Sequence, residues 1–144
     1  MKTVAQILRD KQNRDVHTIG PHATVLEALQ VLAEKNVGAL PVVEDGQLVG
    51  VISERDYARK VVLRGRSSVG TPVRSIMSAP VVTVGPQHSI RACMALMTDR
   101  HLRHLPVVEN GHLVGLLSIG DLVKEAIAEQ DALIGQLQQY IRGE

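Results

Sequence analysis

Aromatic residues are what this chain most lacks: its 144 residues include no Phe, no Trp and only two Tyr, Tyr57 and Tyr140. Proteins that bind single-stranded nucleic acid stack the bases on aromatic side chains. The formal net charge of +1 adds no general attraction for a phosphate backbone. The composition therefore predicts no nucleic-acid partner, and it implies that any bound purine base lies between aliphatic side chains.

Cysteine and long apolar runs are also scarce. The single Cys93 excludes an internal disulfide and is typical of a reducing compartment. No apolar run approaches the ~20 residues of a membrane span, and Met1 to Gln6 carry no apolar signal-peptide core. We therefore expect a cytoplasmic protein without a membrane partner. Its 44% hydrophobic and 22% charged residues are ordinary for a globular protein of this size.

The same sequence pattern occurs twice in the chain. Residues 16–57 align with residues 81–122 without a gap, at an offset of 65, and 15 positions are identical. The match begins earlier, because Val4-x-x-Ile7 resembles Val73-x-x-Ile76. This indicates a tandem duplication. One copy of ~50 residues is too small to be stable alone, so we expect the two copies to share a core and to form two equivalent clefts between them.

Each copy predicts the order β-α-β-β-α. Thr24 and Ser89 are candidate N-caps, and the residues after them are apolar at i, i+3, i+4 and i+7, as on one helix face. Asp45-Gly46 and Asn110-Gly111 predict tight hairpins, because both central residues of that turn favour positive φ. A second helix begins after Ser53 and Ser118. The predicted strands span residues 16–19, 40–43 and 48–52 in the first copy, and 81–84, 105–108 and 113–117 in the second.

The boundaries follow from these elements. We expect an α+β fold in which repeat 1 (1–65) and repeat 2 (73–144) pack by pseudo-twofold symmetry. The linker at 66–72 is rich in Gly, Ser and Arg and is predicted to be a mobile surface loop. The last helix is predicted to run to about Ile141. It carries more apolar residues than one small repeat needs, which suggests packing on the other repeat or on a second chain.

The repeated motifs resemble those of a known family. Both copies have Leu-Pro-Val-Val-Glu in strand two, Asp/Asn-Gly in the turn and Gly-x-x-Ser-x-x-Asp after strand three. This order closely resembles the CBS domain family, whose tandem pairs are called Bateman modules. The resemblance extends from about Val4 to Leu122 and into the last helix. It implies a regulatory module that binds an adenosyl compound, signals to a partner protein and forms homodimers. Such pairs also occur inside enzymes, which leaves an enzyme as a further hypothesis, but we expect no catalytic activity here because no catalytic domain is attached. AMP is the first candidate ligand, and ADP, ATP, NAD(H) and S-adenosylmethionine are alternatives.

The resemblance also implies which residues form the two sites. In the family, each site combines the Ser-x-x-Asp of one repeat with strands one and two of the other. The Asp holds the ribose hydroxyls, and the Ser and basic side chains hold phosphate. Carried over, site 1 comprises Ser53, Arg55, Asp56, Val82, Thr83, Leu102, Arg103 and His104. Site 2 comprises Thr18, Val37, Gly38, Ala39, Ser118, Gly120 and Asp121.

Elementary chemistry agrees with these roles. A carboxylate can accept two hydrogen bonds from a vicinal diol, and the free amides at a helix start favour phosphate. The sites are unequal, because Arg55, Arg103 and His104 correspond to Gly120, Gly38 and Ala39. We therefore expect site 1 to bind a charged nucleotide more tightly.

Simpler interpretations exist for each feature. Ser-x-x-Asp is also a stabilising helix start, and on that interpretation the protein is a homodimerisation scaffold with empty clefts. Cys93 replaces Ala28 on a helix face, so a packing role is predicted. Asp99, His101 and His104 match no strong metal-ligand spacing, and we predict no metal site. Neither a nucleophile with an evident base nor a phosphate-binding glycine loop is present.

Overall fold

The two halves of the chain fold into the same order of elements. The structure is a computed structural model that describes residues 2–11 and 16–143. The helices are α1 (Val4–Asp10), α2 (Val25–Lys35), α3 (Glu54–Tyr57), α4 (Ile90–Arg100) and α5 (Ile119–Arg142). The strands are β1 (Ala39–Glu44), β2 (Gln47–Ser53), β3 (His104–Glu109) and β4 (His112–Ser118). A π-helical turn (Ala58–Val62) continues α3, and a 3₁₀ turn spans Val73–Ser75. The expected α+β class is confirmed.

The predicted hairpins and helix caps are present in both halves. β1 pairs antiparallel with β2, and β3 with β4, in the same register. The turn residues Asp45, Gly46, Asn110 and Gly111 all have positive φ, as a tight hairpin turn requires. The hydroxyls of Thr24 and Ser89 accept hydrogen bonds from the third amide of α2 and of α4. Local turn and cap chemistry therefore sets these boundaries.

The predicted first strands are wrong in extent. Each is reduced to one parallel bridge, between Ile19 and Val42 and between Val84 and Val107. The Ile19 amide donates to the Pro41 carbonyl at 3.1 Å, and the Val43 amide donates to Ile19 at 2.9 Å. Pairing stops there because a Gly-Pro dipeptide follows in both halves, and proline has no amide hydrogen to extend a ladder.

The linker at 66–72, predicted to be a mobile surface loop, supplies backbone acceptors to the start of α2. The first amides of α2 need acceptors outside the helix. The Val25 amide donates to the Thr71 carbonyl at 2.9 Å, and the Leu26 amide donates to the Ser68 carbonyl at 3.0 Å. Thr71 is itself buried. The linker thus caps α2 and is part of the packed structure of the first half.

The two hydrophobic cores exchange their leading segments. Val4 and Ile7 of α1 are buried with α4 and the β3–β4 hairpin of the second half. Val73 and Ile76 are buried with α2 and the β1–β2 hairpin of the first half. Each hairpin core is therefore completed by the segment that precedes the other copy. This exchange ties the halves together and carries residues of α1 to the second Ser-x-x-Asp motif.

Two further expectations concern Cys93 and the last helix. Cys93 is fully buried in the second core, as its helix position predicted, and burial raises the pKa of its thiol. α5 extends 24 residues to Arg142. Much of its apolar surface is exposed, including Ile127, Ile134 and Ile141. Within the described residues, no helix has the length and apolar character needed to cross a membrane.

Candidate functional site

Both Ser-x-x-Asp motifs fold into the same capping box. The Ser53 hydroxyl accepts from the Asp56 amide at 3.1 Å, and the Asp56 carboxylate accepts from the Ser53 amide at 3.0 Å. Ser118 and Asp121 repeat this pair of bonds at 3.1 and 2.8 Å. These reciprocal bonds satisfy two free amides at each helix start. They also hold each carboxylate in one orientation at the start of its helix.

A cavity of about 520 Å³ lies beside the second motif. Pockets of roughly 300–1,000 Å³ hold small molecules and cofactors. The wall consists of the end of α1, the segment before β1, the start of β1, the return strand β4 and the first turn of α5. Its lining residues are Leu8, Arg9, Lys11, Val16, His17, Asn36, Val37, Gly38, Ala39, Leu40, Pro41, His104, Val114, Gly115, Leu116, Ser118 and Asp121.

Asp121 lines this cavity and has one carboxylate oxygen that accepts no hydrogen bond from the described residues. Its Oδ2 accepts from the Ser118 amide at 2.8 Å and from Lys11 Nζ at 2.9 Å. Lys11 Nζ also donates to the Leu116 carbonyl at 3.0 Å. Among the described residues, none donates a hydrogen bond to Oδ1 of Asp121. Because a carboxylate can accept about four hydrogen bonds, Asp121 retains capacity for a ligand's hydroxyl groups.

Asp56 is saturated by its own chain. Its Oδ2 accepts from both the amide and the hydroxyl of Ser53, each at 3.0 Å. Its Oδ1 accepts from the Ser78 hydroxyl at 3.2 Å and pairs with Lys60 Nζ at 3.0 Å. These four contacts fill the acceptor capacity of the carboxylate, and Asp56 is only 9% exposed. A ligand hydroxyl could bind Asp56 only by displacing one of these groups.

The difference between the two motifs arises from the two exchanged segments, here called the crossing segments: α1 with Lys11, and residues 73–78. Ser78 pairs with Val51 of β2 through amide-to-carbonyl bonds of 2.8 and 3.1 Å. At Leu116, the counterpart of Val51, the carbonyl instead accepts from the Lys11 side chain. β2 is thus covered by the backbone of the segment at Ser78, whereas β4 borders the cavity.

The residues expected at site 2 are mostly brought together. Val37, Gly38, Ala39, Ser118 and Asp121 all line the cavity. Thr18 and Gly120 are exposed and lie outside the lining, where Val16 and His17 stand near the expected place of Thr18.

The residues expected at site 1 are more dispersed. Desolvation, followed by the positive charges of Arg59 and Arg103, lowers the pKa of Arg55, so Arg103 of the second half lies within electrostatic range of Arg55. Val82 and Leu102 pack partly buried on the second core, while Thr83 is exposed.

His104 was assigned to site 1, but it lines the cavity beside the second motif. A Cβ added to Gly38 would lie 3.8 Å from His104 Nε2, so the imidazole faces the opposite half. Burial lowers the pKa of His104, and the carboxylates of Asp121 and Asp56 oppose this. Its ring therefore lies within the electrostatic reach of both motifs.

Sequence reasoning missed the cations that α1 supplies. Arg9 and Lys11 both line the cavity, although they belong to the first copy in sequence. The alignment of the copies shows four extra residues between Val4 and Val16 relative to Val73 and Val81, so Lys11 has no clear counterpart. Only the exchanged packing of α1 shows that these residues reach the second cleft. Within residues 2–11 and 16–143, no group of three or more His, Cys, Asp or Glu is placed to hold a metal ion.

The fold and cavity define a class of protein: a tandem α+β module with a cavity lined by residues of both repeats. A model of the CBS domain matches residues 4–63 and 73–128. The chain belongs to the CBS domain family, and it carries two copies of the domain.

Two relatives are known by name. The chain is 41% identical over 125 residues to the mitochondrial CBS domain-containing protein CBSX3 of Arabidopsis thaliana, a match that covers 83% of this chain and 61% of that protein. It is 35% identical over 125 residues to the CBS domain-containing protein YhcV of Bacillus subtilis, covering 87% of this chain and 89% of that protein. Both names describe domain content and assign no catalytic activity.

Solved structures share the fold. A protein with CBS domains from Burkholderia ambifaria matches with a TM-score of 0.85 and 51% identity, covering 90% of this chain and 96% of that one. A hexameric cyanobacterial CBS-CP12 protein matches with a TM-score of 0.76 and 27% identity, covering 84% and 70%. A CBS domain pair in complex with 5′-methylthioadenosine and S-adenosyl-L-methionine matches with a TM-score of 0.79 and 23% identity, covering 90% and 98%.

Proposed function

We propose that this protein is a regulatory module that binds an adenine nucleotide in the second cleft. The observation that carries the proposal is Asp121, which lines a cavity of about 520 Å³ and whose Oδ1 accepts no hydrogen bond from the described residues. A ribose offers two adjacent hydroxyl donors, which a carboxylate with free capacity can accept together. The complex of a related CBS pair with two adenosyl compounds supports this ligand class.

The remaining groups of the cavity suit the rest of a nucleotide. Val37 and the buried Ala39 offer an aliphatic surface for adenine, as the near absence of aromatic residues requires. At the start of α5 the Ile119 amide already donates to the Arg103 carbonyl and the Asp121 amide to the Ser118 hydroxyl. The group we propose for a phosphate is therefore the Lys11 ammonium, which lines the cavity. AMP is the ligand we propose first, with ADP, ATP, NAD(H) and S-adenosylmethionine as alternatives of the same class.

The first cleft is a weaker candidate for the same ligand. Arg55 and Arg103 provide positive charge, but Asp56 has no acceptor capacity left. A nucleotide there would have to displace Ser78 or Lys60. Site 1 was expected to have the higher affinity because only the cations of the motifs and of strand two were counted. Lys11 adds a cation to the second cleft. We therefore propose that the second cleft has the higher affinity.

Signalling would start at α5. Ser118 and Asp121 form its first turn, so a ligand on Asp121 acts on the start of a 24-residue helix. Exposed apolar residues recur along that helix at spacings of three, four and seven positions, which place them on one face. They are Ile119, Val123, Ile127, Leu133, Ile134, Leu137, Tyr140 and Ile141. We propose that this face forms a homodimer and transmits ligand occupancy to a regulated protein in the cytoplasm. Such a response requires that the ligand bind two conformations with different affinity.

The alternative function is a homodimerisation scaffold with empty clefts, and the exposed face of α5 is compatible with it. Thermal unfolding with and without AMP, ATP, NAD(H) and S-adenosylmethionine separates the two. A ligand at 100 times its dissociation constant adds about 2.7 kcal/mol, which in a domain of this size raises Tm by about 5–10 °C. We expect such a shift with at least AMP. No shift with any adenosyl compound would favour the scaffold.

A further inference from the structure

We propose that Lys11 makes the second cleft select anionic adenosyl ligands over uncharged or cationic ones. This inference rests on the proposed function, because it concerns the same cleft. It names a specificity-determining residue that lies outside both Ser-x-x-Asp motifs and outside the second repeat in sequence.

The hydrogen bonds of Lys11 place a free donor at the cavity. An ammonium group has three donors. Lys11 uses one on Asp121 Oδ2 at 2.9 Å and one on the Leu116 carbonyl at 3.0 Å. No described residue takes the third donor, and Lys11 lines the cavity. A ligand that gives a hydroxyl to Asp121 can therefore place an anionic group against Lys11 without breaking either existing bond.

The local charge balance sets the direction of the selectivity. Lys11 and Asp121 form an ion pair whose side chains are 28% and 22% exposed, so water screens it only partly. With Lys11 present, the pair is neutral and the ammonium can attract phosphate. Without it, the carboxylate remains and repels phosphate, while it attracts a cationic ligand. Arg9 and His104 also line the cavity, and Lys11 is the cation that lies in direct contact with the Asp121 carboxylate.

Lys60 is a matched control. Lys60 Nζ pairs with Asp56 Oδ1 at 3.0 Å and donates to the Ile76 carbonyl at 2.9 Å. Each lysine thus joins its motif's aspartate to a backbone carbonyl. Lys60, however, is absent from the wall of the cavity. Removing its charge should not alter the ligand preference of the second cleft.

The test is a titration of three probes that share adenosine but differ in charge: AMP (anionic), 5′-methylthioadenosine (uncharged) and S-adenosylmethionine (net cationic). We expect Lys11→Met and Lys11→Gln to weaken AMP binding about 10- to 100-fold, the range for losing a hydrogen bond to a charged group. The affinity for 5′-methylthioadenosine should stay within about threefold, and that for S-adenosylmethionine should stay equal or rise. Lys11→Arg should keep the preference for AMP, and Lys60→Met should change none of the three.

The outcomes separate two failures. If wild-type protein binds none of the probes, the proposed function fails and this inference with it. If it binds them but Lys11→Met weakens AMP and 5′-methylthioadenosine equally, or leaves AMP unchanged, only the role of Lys11 is overturned. Salt provides a test without any variant. The wild-type affinity for AMP should fall with ionic strength while that for 5′-methylthioadenosine stays constant, and parallel changes would contradict the proposal.

Discussion

The two Ser-x-x-Asp motifs share one local structure and differ in what surrounds them. Ser53 with Asp56 and Ser118 with Asp121 form the same capping box. Around Asp56 the chain supplies Ser78 and Lys60 and leaves no acceptor capacity. Around Asp121, which lines a cavity, it supplies Lys11, and no described residue donates to Oδ1. The duplicated motif therefore determines where a ligand could bind. The crossing segments determine whether groups of the chain already occupy the hydrogen-bonding capacity of the aspartate.

The crossing segments differ although their apolar anchors are equivalent. Val4 and Ile7 occupy the second core as Val73 and Ile76 occupy the first. Beyond these anchors, the segment at Ser78 pairs with β2 by backbone hydrogen bonds. The end of α1 instead reaches β4 through the long side chain of Lys11. A side chain leaves more open volume beside a strand than a paired backbone does, which accounts for the cavity on that side.

The largest expected effect concerns stability and sets Asp56 against Asp121. Asp56→Ala removes the acceptor for Ser78, Lys60 and the Ser53 amide in a buried position, and we expect a loss of about 2–4 kcal/mol in the free energy of unfolding. Asp121→Ala removes one cap acceptor and a partly exposed ion pair, so we expect a loss of about 1 kcal/mol. Urea denaturation with comparable m-values measures both. Equal losses would contradict a structural role for Asp56 and a ligand-binding role for Asp121.

A smaller difference in stability is expected between alanine variants of Gly50 and Gly115, the glycines on which the crossing segments pack. A Cβ on Gly50 would lie 2.5 Å from Met77 Sδ and 3.2 Å from the Ser78 carbonyl oxygen. A Cβ on Gly115 would meet only Leu8, at 2.7 Å from Cδ2. Because paired backbone yields less readily than a side-chain end, we expect Gly50→Ala to cost about 1–2 kcal/mol. Gly115→Ala should stay within about 1 kcal/mol of wild type, since Leu8 can turn into the cavity.

Thermal unfolding of the two glycine variants side by side is the measurement. A larger loss of stability in Gly115→Ala than in Gly50→Ala would contradict the conclusion that β2 is covered by backbone and β4 is open to the cavity.

Much of the fold could be predicted because its signals are local. The Asp45-Gly46 and Asn110-Gly111 turns follow from the need for positive φ. The caps at Thr24, Ser53, Ser89 and Ser118 follow from hydroxyls placed before apolar faces. The length of the first strands was predicted less well, because apolar residues before Gly-Pro do not reveal how many of them find a partner. The hydrogen bonds from α2 to the linker carbonyls were not predicted, because composition does not show such a contact.

The candidate site was predictable only in part. Five of the seven residues assigned to site 2 line one cavity, because the repeat and the family resemblance both indicate a cleft between copies. The saturation of Asp56 by Ser78 and the pairing of Asp121 with Lys11 were not foreseen. Both depend on the exchange of α1 and the Val73 segment between the cores. Nothing in a tandem alignment distinguishes an exchanged arrangement from one in which each copy keeps its own leading segment.

The central claim is that the second cleft binds the adenosyl ligand through Asp121. Isothermal titration of AMP into wild-type protein, Asp121→Asn and Asp56→Asn tests it most directly, because asparagine keeps an oxygen for the capping bond. We predict one high-affinity AMP per wild-type chain, an affinity about 10- to 100-fold lower in Asp121→Asn, and an affinity within about threefold of wild type in Asp56→Asn. Equal losses in the two variants, or a larger loss in Asp56→Asn, would contradict the account.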